Sequence, residues 1–225
     1  MARANNLPGF YVVIDGIIGC GKSAQRKQLE HYLPLNFPKN EIVFTYEPGG
    51  NPEADEIRQR LKHEKMSAEE EMNLFAKSRS ITLPQIVKPA LELGKIVVSD
   101  RSVTTSLAYQ AFGREIGIEK VWQANEKAVN GILPDVIVYM NVGRDVCFKR
   151  SGGENPDKFD SEDVAFWDRT IKGYDEMLKF VKRISPNTHN LIIYDPEGKL
   201  SIEETRLKVK EQLYPIIKHH YNDKS

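Results

Sequence analysis

Gly16-Ile17-Ile18-Gly19-Cys20-Gly21-Lys22-Ser23 is the stretch on which the reading of this chain turns. It fits G-x-x-x-x-G-K-[ST], a loop whose glycines let it curl with its amides turned inward around an anion. Before it, Phe10-Tyr11-Val12-Val13-Ile14-Asp15 is a short aromatic and β-branched run, the pattern of a fully buried strand. After it, Gly21 to Leu33 reads as a helix whose N-terminus adds partial positive charge. Strand, loop and helix in that order predict a cradle for the β- and γ-phosphates of a nucleoside triphosphate. Gly16, Gly19, Cys20, Gly21 and Ala24 would form it, Lys22 would reach the β/γ oxygens, and the Ser23 hydroxyl would ligate Mg²⁺. Gly19-x-Gly21-x-x-Ala24 also fits the dinucleotide fingerprint G-x-G-x-x-A, with Glu47 as its ribose-binding acid. Lys22-Ser23 directly after the second glycine favours the triphosphate, because a dinucleotide site does not require that pair.

Outward from the loop, strand-like and helix-like patterns alternate. Further strands are expected at Glu41 to Tyr46, Lys95 to Asp100, Asp135 to Val142 and Asn190 to Asp195. Helices are expected at Glu53 to Leu61, Ala68 to Leu93 (kinked near Pro84), Val103 to Phe112, Ile118 to Asn130 and Arg144 to Arg150. A long helix beginning at Ser161 and a closing one from Ile202 to His219 complete the set. Strands separated by helices imply parallel pairing with right-handed crossovers. The expected fold is α/β: a five-stranded parallel sheet flanked by helices, with the P-loop after its first strand. Such sheets bind ligands beyond the carboxyl ends of their strands, where Gly16 to Ser23, Glu47 to Gly50 and Asp100-Arg101 all fall.

Composition narrows the ligand class. Lys+Arg and Asp+Glu are both 32 of 225 residues, so the net charge is zero, which argues against a nucleic-acid polymer. No long apolar run predicts a membrane span, and Met1 to Pro8 lacks a signal-like apolar stretch, so a cytoplasmic protein is expected. Two cysteines, Cys20 and Cys147, are too few for a disulfide framework or a Cys-rich zinc site. The length favours one domain over residues 1–225. Asp195-Pro196-Glu197-Gly198 matches the GTPase pattern D-x-x-G, but it follows the last strand and no N-K-x-D accompanies it, so the match is read as chance.

Phosphate transfer needs more than a cradle. Asp100, closing the third strand, is placed to hold Mg²⁺, and Arg101 to clamp a second phosphate. With these pieces the chain resembles the thymidylate kinases, bacterial-like, along nearly its whole length. Glu47-Pro48-Gly49-Gly50 is similar to their E-P-G-G turn, and Leu74-Phe75-Ala76-Lys77-Ser78-Arg79 to their L-F-A-x-x-R helix. Asp100-Arg101 followed by Thr105-Ser106-Leu107-Ala108-Tyr109-Gln110-Ala111-Phe112-Gly113-Arg114 resembles their D-R…S-x-x-A-Y-Q-x-x-G-R. Pro134-Asp135 resembles the start of their fourth strand; Asp157 to Asp160 and Phe166 to Arg169 resemble the end of their lid and the helix beyond. The resemblance implies the P-loop NTPase/nucleoside monophosphate kinase fold with a short mobile lid, ATP and dTMP as substrates, and a homodimer through helix packing. It implies that Phe75 stacks on thymine, Arg79 bonds its edge, Gln110 faces the base and Tyr109 packs on the deoxyribose. Glu47, Pro48 and Thr105 would join the acceptor pocket, Arg101 would hold the acceptor phosphate, and Lys22, Arg101 and Arg150 would be catalytic.

The acceptor region is expected at about 53–130 and a lid at about 151–160, with Lys158 as a further cation over the triphosphate. Three positions depart from the family pattern: Ile18 where an acid is usual, Tyr46 where an arginine is usual, and Ser151-Gly152-Gly153 in an arginine-poor lid. Two rivals stay open at this stage. A deoxynucleoside kinase would share the loop and Asp100-Arg101-Ser102 and use Glu47 as base toward a 5′-hydroxyl. A non-catalytic nucleotide-binding module would need no acceptor at all.

Overall fold

A computed structural model describes residues 7–151 and 158–222. Five strands, β1 (Phe10–Asp15), β2 (Ile42–Tyr46), β3 (Ile96–Asp100), β4 (Val136–Val142) and β5 (His189–Asp195), form one sheet in the order β2-β3-β1-β4-β5. Every pairing is parallel. β1 is buried at all six positions because helices cover both faces of the sheet, which is why its sequence is an unbroken apolar run rather than an alternation.

The helices start where local chemistry satisfies their free amides. α1 (Lys22–Asn36) springs from the loop at Gly21. Asn51 caps α2 (Pro52–His63), its side chain accepting from the Ala54 amide at 2.9 Å, and Pro52 sits where a missing N–H costs nothing. Ser67 and Glu70 form a reciprocal capping box on α3 (Ala68–Thr82). The expected kink near Pro84 takes the form of a π turn, Leu83–Val87, before α4 (Lys88–Glu92). A second π turn, Tyr109–Gly113, follows α5 (Val103–Ala108) and precedes α6 (Ile118–Val129). Next come α7 (Arg144–Ser151), α8 (Val164–Ile184) and α9 (Ile202–Asn222).

One boundary is corrected. The long helix begins at Val164, not Ser161, because Lys158–Ser161 is a 3₁₀ turn and the Asp163 carboxylate caps the Phe166 amide at 2.7 Å. No helix among the described residues is long and apolar enough to cross a membrane.

Register sets the site. Ile14 pairs with Asp100 and Tyr46 with Asp100, so the carboxyl ends of β1, β3 and β2 lie level. The strand order reverses about β1, and the phosphate loop leaves at that switch point.

Candidate active site

Gly19, Cys20, Gly21, Lys22, Ser23 and Ala24 line a cavity of about 1050 Å³ at the carboxyl ends of the strands, together with Glu47, Asp100, Arg101 and Arg150. Gly16 lies behind this wall and contributes its carbonyl, which accepts from Lys22 Nζ at 3.0 Å and from Arg101 at 3.1 Å. Lys22 Nζ also bonds the Ile17 carbonyl at 2.7 Å, so the lysine folds back across its own loop. Gly19 and Gly21 have φ of +73° and +98°, conformations that L side chains rarely adopt.

The cavity fits a divalent cation with few protein ligands. Ser23 presents its exposed hydroxyl there, and Asp100 turns a buried Oδ1 that has no hydrogen-bond partner toward the same end of the sheet. No cluster of three or more His, Cys, Asp or Glu able to hold a metal occurs among the described residues. Mg²⁺ needs none, since it is held by one or two protein oxygens, substrate phosphates and water.

Next to this chamber lies a smaller, largely apolar one of about 80 Å³, walled by Phe75, Tyr109, Phe159, Trp167, Pro48 and Thr105. The two share Ile18, Arg58, Lys62 and Arg101. Arg101 therefore stands between a triphosphate cradle and an aromatic pocket. It is held there by Tyr109, whose hydroxyl accepts at 3.3 Å and whose ring lies 5.1 Å from the guanidinium, and by Asp15 at 3.6 Å. Its φ of +73° is rare for a side-chain-bearing residue; the Ile14 carbonyl bonds its amide at 3.0 Å and Ser99 Oγ its carbonyl at 2.7 Å. Burial, opposed by Arg101, pushes the Tyr109 phenol up to about 12, so it stays protonated.

Arg79 and Gln110 line neither chamber; both are buried. Arg79 bonds Glu47 Oε2 at 2.7 Å, Ser106 Oγ at 3.4 Å, and Asn125. Burial raises the Glu47 carboxyl above its ordinary range and Arg79 opposes the shift. Glu47 is thus the counter-ion of a buried arginine, an arrangement that does not favour it as the general base of a nucleoside kinase. Gln110 donates to Glu71 at 2.9 Å. Arg150 reaches the larger chamber from the end of α7 and donates to the Gly198 carbonyl at 3.1 Å. Lys158 pairs with Glu71 at 2.9 Å. The rest of the expected lid, residues 152–157, lies outside the described residues.

Several site residues escape a reading of the sequence. Asp15 is fully buried and accepts from the Gly16 amide (2.8 Å), Thr104 (2.5 Å), Thr105 (2.8 Å) and Tyr174 (2.7 Å). It ties loop, α5, α8 and Arg101 together. Arg58 supplies a cation where the turn carries Tyr46: its guanidinium lies 5.1 Å from the Tyr46 ring and donates to the Pro48 carbonyl at 2.8 Å, while the Tyr46 hydroxyl bonds Asp55 at 2.9 Å. Phe159 packs against Phe75 and Tyr109 with ring centroids 6.5 and 5.8 Å apart. The E-P-G-G turn was the available signal for Arg58, since that turn leads straight into α2, and the Asp157 to Asp160 segment was the signal for Phe159; Asp15 had none.

Comparison with known proteins agrees with this geometry. The family model described as thymidylate kinase matches residues 14–192. Thymidylate kinases of Thermoanaerobacter sp. (strain X514) and Thermoanaerobacter pseudethanolicus are each 39% identical over 180 residues, covering 79% of this chain and 88% of theirs. A crystal structure of thymidylate kinase from Ehrlichia chaffeensis superposes with a TM-score of 0.72 at 25% identity, covering 92% of this chain and 98% of that one. A P-loop cradle joined through an arginine to an aromatic pocket, on a sheet of this order and with these relatives, means that the chain belongs to the thymidylate kinase family of ATP-dependent nucleoside monophosphate kinases.

Proposed function

We propose that this chain transfers the γ-phosphoryl group of ATP to dTMP, giving dTDP and ADP, with Mg²⁺ as cofactor. The observation that carries this reading is the pair of chambers joined through Arg101, one cut for phosphates and one walled by aromatic rings. ATP lies in the larger chamber, its phosphates on the amides of Gly19 to Ser23 and on Lys22. Thymine enters against Phe75 and Tyr109, and Arg101 takes the acceptor phosphate bidentately. Ser23 and Asp100 hold Mg²⁺, which when bound neutralises charge on the β- and γ-phosphates.

The acceptor's second pKa is near ~6, so its phosphate is largely ionised at neutral pH and needs no general base. An oxygen of dTMP phosphate attacks the γ-phosphorus, the bond to the β,γ-bridging oxygen breaks, and ADP leaves. Lys22 and Arg150 stabilise charge on the moving group, so catalysis is positioning plus electrostatics. The chain acts as one unit over residues 1–225, as a homodimer in the cytoplasm; light scattering of the purified protein tests the dimer.

The decisive assay incubates the protein with ATP, Mg²⁺ and a panel of nucleosides and nucleoside monophosphates. Turnover of dTMP without turnover of thymidine is expected. Efficient phosphorylation of thymidine or deoxycytidine with none of dTMP would overturn the reading, and no transfer to any acceptor would leave a binding module.

A further inference from the structure

Ile18, Arg58, Lys62 and Arg101 line both chambers. Three of them are cations and the fourth is a hydrocarbon. In a nucleoside monophosphate the sugar joins base to phosphate. With the base among the rings and the phosphate on Arg101, the sugar crosses this junction, and the shared residues are the ones it passes.

The hydrogen-bonding character of that crossing is one-sided. Arg58, Lys62 and Arg101 can only donate. Thr105 Oγ1 spends its proton on Asp15 at 2.8 Å, and the Tyr109 hydroxyl accepts from Arg101 at 3.3 Å. Asp15 is fully buried, lines neither chamber, and is already taken up by Gly16, Thr104, Thr105 and Tyr174. Among the described residues, no Asp, Glu, Asn or Gln lines the smaller chamber. Ile18 completes the wall. It is half-buried, packs against the main core, and stands where the family pattern has an acid, so its consequence belongs to this chain and not to the family at large.

The sugar of a deoxynucleotide monophosphate has one free hydroxyl, at its 3′ carbon. Such a group gains nothing on leaving water unless an acceptor meets its proton. The three cations are drawn instead to the phosphate oxygens on either side of the junction, where charge-assisted bonds are stronger.

We propose that Ile18 sets sugar selection: it gives the acceptor sugar a hydrocarbon wall in place of a hydrogen-bond acceptor, so the site chooses by base and phosphate, is nearly indifferent to the 3′-hydroxyl, and takes 3′-deoxynucleoside monophosphates almost as well as dTMP. This inference rests on the dTMP reading above and adds the chemistry of the sugar to it.

Steady-state kinetics with ATP, Mg²⁺ and either dTMP or its 3′-deoxy analogue tests it. For the wild type the two kcat/KM values should agree within about fivefold, whereas a site that bonds a substrate hydroxyl rejects the analogue lacking it far more strongly. Ile18→Asp places an acceptor on the same wall and should raise the ratio of dTMP to analogue at least about tenfold; Ile18→Val, which keeps the wall apolar, should leave the ratio where it is. Because the ratio compares two acceptors on one protein, a general loss of fold or of ATP binding does not move it. A wild-type ratio above about fivefold overturns the proposal, as does an unchanged ratio in folded Ile18→Asp or an equal rise in Ile18→Val. If Ile18→Asp does not fold, the wild-type ratio decides alone. Turnover of neither acceptor would instead sink the underlying dTMP reading, a result distinct from turnover of dTMP without the analogue.

Discussion

Two glycines of the phosphate loop, two residues apart, should respond very differently to the same substitution. A Cβ added at Gly19 would sit 2.0 Å from the Cys147 carbonyl oxygen and 2.8 Å from its carbon, atoms of the α7 backbone that cannot swing aside. A Cβ added at Gly21 meets nothing within 4 Å. Both sites have positive φ, which costs an alanine about 1–2 kcal/mol. Gly19→Ala adds an overpacking cost of about 1–3 kcal/mol, for a total of about 2–5 kcal/mol. In a protein of this size each kcal/mol moves Tm by about 2–4 °C. Gly19→Ala should therefore lower Tm by about 4–20 °C and Gly21→Ala by about 2–8 °C, with Gly19→Ala the lower-melting of the two. Function should split the other way. Both glycines line the larger chamber, but only at Gly21 does the added methyl group project into open space, where phosphate oxygens would approach the loop amides, and there KM for ATP should rise about tenfold or more. Differential scanning calorimetry of the two variants with steady-state kinetics settles the matter. If Gly21→Ala proves as unstable as Gly19→Ala, or if Gly19→Ala melts with wild type, the described contact between the loop and α7 is wrong.

Asp15→Asn should destabilise the fold by about 2–4 kcal/mol, seen as a lower urea midpoint, because one amide oxygen cannot accept from Gly16, Thr104, Thr105 and Tyr174 together and Arg101 loses its buried counter-charge. Arg150→Ala should lower kcat about a hundredfold with little change in KM for dTMP, by steady-state assay; an unchanged kcat removes Arg150 from the mechanism. Burial pushes the Glu71 carboxyl up, but Arg114, Gln110 and Lys158 outweigh burial, and the depressed carboxyl predicts an acid limb of stability. The folded state binds that proton less tightly than the unfolded one, so the contribution is present above the ordinary carboxylate pKa and is lost as pH falls below it. In Glu71→Gln the slope of stability against pH in that acid range should flatten, as measured by urea unfolding at stepped pH values.

Much of the framework was legible because its signals are local. β1 is a run of six core residues, the loop glycines are spaced by their own geometry, and Ser67 with Glu70 announces a helix start within four residues. The aromatic pocket was legible through Phe75 and Tyr109 only because ordered motifs placed them; periodicity alone reads both as core. Asp15 was not legible. An acid ending an apolar strand looks like a strand terminus, and its partners Thr104, Thr105 and Tyr174 lie 89, 90 and 159 residues away. Glu71 was hidden by its neighbours, since three consecutive acids at a helix start read as a solvated face. The pairing of Lys158 with Glu71 had no local sign either. The π turn at Tyr109–Gly113 left no mark either, because its extra residue per turn is decided by packing against α8 and not by the residues themselves.

The two chambers are made of different materials. The larger draws much of its grip from main-chain amides, which every residue possesses, so most side chains along that loop could change without altering what it holds. The smaller is made almost wholly of side chains, with Ile18, Arg58, Lys62 and Arg101 the only residues common to both among the described residues. Drift in the aromatic wall can thus retune which acceptor is admitted while the donor half keeps working. A scaffold divided in this way lets natural variation explore new acceptors without first losing its source of phosphate.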